Sequence, residues 1–309
     1  MTWPSPAQPL KIGTRGSPLA LAQAQETRDR LVAAHGLPSE AFAIVVIKVT
    51  GDIVQDRALS AIGGKGLFTR EIEEALLEGA IDIAVHSMKD MPVLQPDGVL
   101  IDCYLEREDV RDAFVSPLAG SLIDLPPGAV VGSSSLRRRA QVLLRRPDLT
   151  LVEFRGNVQT RMRKLDEGVA AATFLAMAGL NRLGLSVAQN PVEPEDMLPA
   201  VAQGAIGVER RADDARVAVL LAAIHDRATG LRLAAERAFL ARLDGSCLTP
   251  IAGLAVLEGG GLWLRGEILR PDGSRSVRGE LRGAAGDGAA MGAALADELL
   301  GRAGPGFFG

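Results

Sequence analysis

The sequence predicts an α/β protein with two βαβ lobes followed by a small α+β C-terminal domain, and three observations predict it. Strand-like and helix-like segments alternate through the first third of the chain. The alternation repeats in the second third, and the last third groups three strand-like runs ahead of a helix. Alternation implies a largely parallel sheet, whereas grouped strands imply a separate α+β unit. With 309 residues the chain is long enough for two or three domains.

In the first lobe, Leu10 to Gly13 reads as a strand. Ser17 and Pro18 then open a helix, with a capping hydroxyl and a proline at the first helical position. Leu19, Leu21, Leu31 and Val32 carry that helix to Gly36, a natural stop. Phe42 to Val49 is a β-branched run and so a buried strand. Gly51 to Gly66 lacks periodicity and holds four glycines, which reads as a long mobile loop. Phe68 to Leu77 is helical, and Ile81 to Val85 is the next strand. That strand delivers Ser87, Lys89 and Asp90 to one point. It stops at Met91, which Pro92 pushes into extended geometry. Polar groups at the mouth of a buried strand are where open α/β sheets keep their chemistry.

The second lobe repeats the scheme. Val130-Val131 leads through Gly132-Ser133-Ser134-Ser135 into a helix from Leu136 to Arg145. Leu149 to Phe154 is a strand, Asn157 to Leu165 a helix, and Ala171 to Leu175 a strand followed by a short helix ending near Gly184. Both lobes share one local pattern, since Ile12-Gly13-Thr14-Arg15-Gly16-Ser17 and Val131 to Ser135 each run strand, glycine, hydroxyl residues, helix start. Open helix N-termini attract anions through their N–H groups and dipoles. In the last part, Leu231 to Leu243 is an amphipathic helix ending at Asp244-Gly245-Ser246-Cys247. Ile251 to Leu257, Leu262 to Leu269 and Ser276 to Leu281 are strands, and Ala289 to Leu300 is a closing helix. Arg107 to Asp112 and Gln189 to Pro199 read as linkers.

Hydrophobic residues make up 47% of the chain, so burial is not limiting. A net charge of −4 argues against a general nucleic-acid binder, and 4% aromatic content supplies no stacking platform for single strands. Between Gly132 and Lys164, however, eight arginines and one lysine face only Asp148 and Glu153. A basic stretch inside an acidic protein fits a focused site for an anionic small molecule, although a solvated helix face would look the same. Met1 to Leu10 holds three prolines and no apolar run, so no signal peptide is expected. No apolar run is long enough for a membrane span. Two cysteines without an export signal point to reduced thiols in the cytoplasm.

Arg137, Arg138 and Arg139 lie on the first turn of a helix. Arg155 sits at a strand end beside Gly156, Arg161 one turn into the next helix, and Arg15 in the equivalent turn of the first lobe. Guanidinium groups match carboxylates two bonds at a time, each charge-assisted hydrogen bond contributing roughly 1.5–3 kcal/mol. Any one of these arginines could be a surface residue; as a set at strand-to-helix turns they point to a polycarboxylate or phosphate. Gly63-Gly64-Lys65-Gly66 is not a nucleotide P-loop, because Gly66 stands where Ser or Thr is required. Cys103 reads as an inert core residue. Cys247, in a loop at a helix end, is either reactive or incidental. His35, His86 and His225 show no metal-ligand spacing.

Taken together, these motifs resemble the hydroxymethylbilane synthase family, also called the porphobilinogen deaminase family. The resemblance rests on Thr14-Arg15-x-Ser17-Pro18-Leu19-Ala20, Gly63-Gly64-Lys65-Gly66-Leu67-Phe68 and Val85-His86-Ser87-Met88-Lys89-Asp90. It continues through Ser134-Ser135-Leu136-Arg137-Arg138, Arg155-Gly156-Asn157-x-x-Thr160-Arg161 and Leu175-Ala176-x-Ala178-Gly179-Leu180-x-Arg182-Leu183-Gly184. Gln203-Gly204-Ala205 and Ala235-Glu236-Arg237-Ala238-Phe239, ahead of Cys247, complete it.

The resemblance implies two lobes built like periplasmic binding proteins and a third, smaller domain. Residues 1–105 with 206–222 would form the first, 111–199 the second and 227–309 the third. It implies a transferase of tetrapyrrole biosynthesis that condenses four porphobilinogen units, each losing ammonia, into linear 1-hydroxymethylbilane. Growth would start on a dipyrromethane cofactor held by a thioether to Cys247. Asp90 matches the catalytic acid, placed to stabilise the cationic methylene-pyrrole left when ammonia departs. Ser87, Lys89, Ser135, Arg137, Arg138, Arg155 and Arg161 match cofactor-binding positions; Arg15, Ser17, Lys65 and Arg182 match substrate-binding ones. No metal, nucleic acid or membrane is implied, and a cytoplasmic monomer is expected.

The chain departs from the family pattern at Ala61, where lysine is common, and at Ala171, where aspartate is common. It departs again at Ser246 and Leu248 on either side of Cys247. The competing reading is a non-catalytic, two-lobed anion-binding protein, which would leave Asp90 and Cys247 without a role.

Overall fold

A computed structural model describes residues 3–49, 69–185, 189–243, 245 and 249–308. The chain divides into two compact units. One gathers the first third up to Glu108 with Gly204–Gly230, and the other gathers Asp109–Gln203 with the segment from Leu231 onward.

The first unit is built on β1 (Leu10–Arg15), β2 (Phe42–Ile47), β3 (Ile83–Ser87), β4 (Val99–Tyr104) and β10 (Ile206–Arg211), in the order β2-β1-β3-β10-β4. β1 is parallel to β2 and β3, while β10 runs antiparallel between β3 and β4. The sheet is therefore mixed, not parallel throughout. Its antiparallel member arrives from a distant part of the chain, which alternation along the sequence cannot reveal. Helix α1 (Pro18–His35) starts as its caps dictate: Ser17 Oγ accepts from Ala20 N, and Gly36 takes the left-handed backbone that ends it. Helix α2 (Arg70–Leu77) begins at Thr69, and helix α6 (Ala215–Ala222) follows β10. Leu10, Ile12, Leu31, Phe42, Ile83 and Val208 form the main core of this unit.

In the second unit, β5 (Asp112–Val115), β6 (Val130–Gly132), β7 (Thr150–Val152), β8 (Ala172–Ala176) and β9 (Gln189–Val192) are ordered β7-β6-β8-β5-β9. The parallel triple β7-β6-β8 matches β2-β1-β3, and the antiparallel β5 takes the place of β10. Two segments read as linkers are thus partly strands. β5 is apolar on both faces and too short to show a period, and β9 tolerates Pro191 because it is the sheet edge. Helices α3 (Leu136–Arg145), α4 (Val158–Asp166) and α5 (Met177–Arg182) follow β6, β7 and β8.

From Leu231 onward the same unit contains a C-terminal module. Helix α7 (Arg227–Arg242), which starts before the expected Leu231, precedes an antiparallel meander of β11 (Ile251–Glu258), β12 (Gly261–Leu269) and β13 (Ser276–Ala284). Helix α8 (Gly288–Ala303) packs on β12 and β13, burying Leu295 and Leu299. Among the described residues no helix is long and apolar enough to cross a membrane.

Candidate active site

In the first unit a cavity of about 70 Å³ is lined by Arg15, Ser17, Gln23, Thr69, His86, Ser87 and Asp90, with Leu19, Ala20, Val85 and Met91. β3 ends at Ser87, and a short 3₁₀ turn over Met88–Asp90 brings Asp90 to the rim, where it is exposed. Met91 follows in extended geometry, as Pro92 requires.

The turn is held from beneath. Met88 is buried and its N donates to Ala205 O at 3.0 Å. Its sulfur packs where Gly207 has no side chain: a Cβ there would stand 2.1 Å from Met88 Sδ. Ser87 Oγ lies 2.8 Å from Gln23 Nε2 and 3.1 Å from Gln23 Oε1, tying β3 to α1. His86 Nε2 meets Glu209 Oε2 at 3.1 Å, both side chains being buried. Burial, then the Glu209 charge, push the nearby Glu73 carboxyl above its usual range. Lys89 is half-buried in the same turn.

In the second unit the start of α3 carries Ser135 as its cap, accepting from Arg138 N at 3.4 Å. Arg137 and Arg138 do not lie on a solvated face. Arg138 Nη2 is 2.7 Å from Asp112 Oδ1 and Arg137 Nη1 is 2.8 Å from Asp112 Oδ2. Arg138 Nη1 also donates to Phe174 O at 2.7 Å. Burial alone would raise the Asp112 carboxyl, but the Arg137 and Arg138 charges outweigh it and hold it below the usual carboxylate range. With one carboxylate against two guanidinium groups, the helix start keeps an excess positive charge. Nε of Arg137 and of Arg138 are buried without a hydrogen-bond acceptor among the described residues, so the donor set fits an acidic ligand.

The turn after β7 brings Arg155 and Arg161 to the start of α4. Gly156 has φ +117°, and a Cβ on it would meet Thr160 Cγ2 at 2.7 Å, so the close approach needs glycine. Arg161 Nε donates to Gly156 O at 2.9 Å, and Asn157 Oδ1 caps the helix from Thr160 N at 2.9 Å. Arg182 is the last residue of α5. Cys247, Lys65, Ala61 and Ser246 lie outside the described residues. Cys103 is buried and free, and burial pushes its thiol up to about 12. Among the described residues no group of three or more His, Cys, Asp or Glu could hold a metal.

One cavity thus gathers Arg15, Ser17, Ser87 and Asp90, and one helix start gathers Ser135, Arg137 and Arg138. Sequence reasoning missed Gln23, Thr69 and Asp112, and took His86 only as part of a motif. Gln23 and Thr27 are polar residues in the buried stripe of α1 that Ala20, Ala24 and Leu31 otherwise fill, which was a readable signal. Asp112 opens the apolar run Ala113-Phe114-Val115, and an acid leading a buried strand implies a buried counter-charge.

Two family models match. "Porphobilinogen deaminase, dipyromethane cofactor binding domain" covers residues 10–219, and "Porphobilinogen deaminase, C-terminal domain" covers residues 231–301. A porphobilinogen deaminase of Paracoccus denitrificans is 72% identical over 306 residues, 99% of this chain and 98% of its own length. Another, from Nitrobacter winogradskyi, is 56% identical over 298 residues, covering 96% of this chain and 94% of its own. A putative methionine-binding lipoprotein of Bacillus subtilis aligns with a TM-score of 0.42 and 10% identity, over 73% of this chain and 93% of its own.

Proposed function

The chain belongs to the porphobilinogen deaminase family, a group of tetrapyrrole-forming transferases with a dipyrromethane cofactor, and we propose that Asp90 is its catalytic acid. The observation that carries this reading is the shared cavity of Arg15, Ser17, Ser87 and Asp90. Asp90 stands at its exposed rim, where a carboxylate stabilises positive charge on a pyrrole as ammonia leaves and accepts the proton released when the new bond forms. Arg15 and Ser17 supply donors for a substrate carboxylate, and the Gln23–Ser87 pair fixes the Ser87 hydroxyl.

Cys247 would hold the dipyrromethane, which supplies a pyrrole α-carbon as the starting point of the chain. Ser87, Lys89, Ser135, Arg137, Arg138, Arg155 and Arg161 would bind its acidic side chains, and Lys65 and Arg182 those of the substrate. Every porphobilinogen brings two carboxylates, so the growing product becomes steadily more anionic, and a field of guanidinium groups offsets that charge. The protein is read as a cytoplasmic monomer that binds no nucleic acid. A buried free thiol fits a reducing compartment, and a net charge of −4 fits the absence of a nucleic-acid partner.

Turnover of porphobilinogen by Asp90→Asn protein tests the assignment. The exposed side chain predicts a calorimetric melt within about 0.5 kcal/mol of the parent, with turnover lower by roughly 10²–10⁴-fold. A folded variant with parental turnover would remove Asp90 from the role.

A further inference from the structure

We propose that Glu267, a residue of the C-terminal meander, is a positioning residue for Arg137 and acts on it through Gln141. The inference rests on Arg137 being a carboxylate-binding residue. Three side chains from α3 and β12 form an unbroken buried series. Arg137 Nη1 donates to Gln141 Oε1 at 2.9 Å, and Gln141 Nε2 donates to Glu267 Oε2 at 2.8 Å. Gln141 and Glu267 are both fully buried. The other Glu267 oxygen accepts from Arg278 Nε at 2.7 Å, which fixes the carboxylate from β13.

The second acceptor for this pair also depends on the C-terminal module. Leu198 O receives Arg137 Nη1 at 3.1 Å and Gln141 Nε2 at 3.0 Å. The Leu198 side chain packs on Ala252 and Leu254 of β11, and the next residue, Pro199, accepts from Gly253 N at 3.0 Å. Glu236 of α7 accepts from Ala202 N at 2.7 Å and from Ala255 N at 2.8 Å, binding the same segment to the meander. Asp112 therefore pairs with Arg137, while the two acceptors that set its rotation, Gln141 Oε1 and Leu198 O, are themselves held by residues of the C-terminal module.

Glu267 is also an acid that faces a crowded set of cations. Its charge acts on Arg137 and on Arg145, whose guanidinium is held below its usual range by burial and then by Arg278. Taking away that charge, or the amide between, would loosen one of the acceptors of Arg137 and leave it held by Asp112 and Leu198 O, with more freedom to tilt. A displacement of about 1 Å in a positioning group can cost as much as 10²-fold in rate.

The hydrogen-bond polarity of the series gives a direct test. Glu267→Gln sets an amide N–H against Arg278 Nε or against Gln141 Nε2, and Gln141→Glu sets two carboxylates face to face. The double variant Q141E/E267Q reverses the polarity between the two side chains and keeps the number of charges, so that Arg137 and Arg278 each keep an acceptor, while the hydrogen bond to Leu198 O stays lost. We expect each single variant to raise KM for porphobilinogen about tenfold, and the double variant to recover part of the loss seen in Q141E, as coupled neighbours do in a double-mutant cycle. The share of chains carrying covalent cofactor, read by intact mass, should follow the same order. If the single variants change only the melting temperature while KM and cofactor loading stay parental, or if the double variant recovers nothing, Glu267 is only a structural brace. Arg137→Lys is the accompanying control. Parental KM together with parental cofactor loading for that variant would remove the carboxylate-binding role of Arg137, whereas a change in either beside inert Glu267 and Gln141 variants would overturn the positioning role alone.

Discussion

Arg138 donates through Nη2 to Asp112 Oδ1 at 2.7 Å, with 8% of the arginine side chain and none of the aspartate side chain exposed. The same carboxylate holds Arg137 through its other oxygen. A buried acid thus fixes two arginines that the sequence presents as a basic helix face. A single carboxylate leaves the pair with a surplus charge at a capped helix start.

Removing one partner of a buried ion pair is costly because the remaining charge stays out of water. Asp112→Asn should lower unfolding free energy by about 3–5 kcal/mol in a urea titration at neutral pH. The folded-state carboxyl is held below its unfolded value of about 3.9. Its contribution is therefore complete above that value and disappears as pH falls through the lower, folded one. The gap between parent and variant should stay constant near neutrality and close only in strong acid. A gap that closes between neutrality and about pH 5 would contradict the assignment.

Gly207 and Met88 set the Asp90 turn. Gly207→Ala places a methyl group against Met88 Sδ and Ile101 Cγ2, at 2.1 Å and 3.0 Å before any adjustment. Overpacking of this kind should cost about 1–3 kcal/mol, and displacement of the turn should slow turnover. Met88→Ala in the Gly207→Ala background relieves the contact, so the two substitutions together should cost less than the sum of their separate losses. Parental turnover by Gly207→Ala would show that Asp90 does not depend on this contact.

Thiol counting addresses Cys247 without mass spectrometry. The chain has two cysteines, and burial keeps the Cys103 thiol protonated and inert. If Cys247 is in a thioether, a thiol-specific chromogenic reagent should detect none in the native protein and one after unfolding. Two thiols on unfolding would mean that Cys247 carries no cofactor.

Much of the fold could be read from the sequence where one signal stood alone. Ser17, Pro18 and Gly36 bound α1, Ser135 and Asn157 cap the helices assigned to them, and the β-branched run from Phe42 is β2. The glycine and hydroxyl pattern shared by the two lobes does correspond to matching parallel triples. What could not be read depends on contacts between distant segments. β10 enters between β3 and β4 from more than a hundred residues away, and no local periodicity encodes that insertion. β5 is buried on both faces and looks like part of a linker; an acid leading its apolar run implies a counter-charge, but not which residues supply it. Arginines at strand-to-helix turns were legible as a set. Which of them meet an internal carboxylate depends on a side chain from another strand.

The most direct test of the account is the intact mass of the purified, denatured protein before and after a brief exposure to porphobilinogen. The account predicts a covalent excess of two linked pyrroles, confined to the peptide containing Cys247 and absent from Cys247→Ser. It further predicts that the excess grows in steps of one deaminated monomer. Active protein at its unmodified mass, with no such steps, would contradict it.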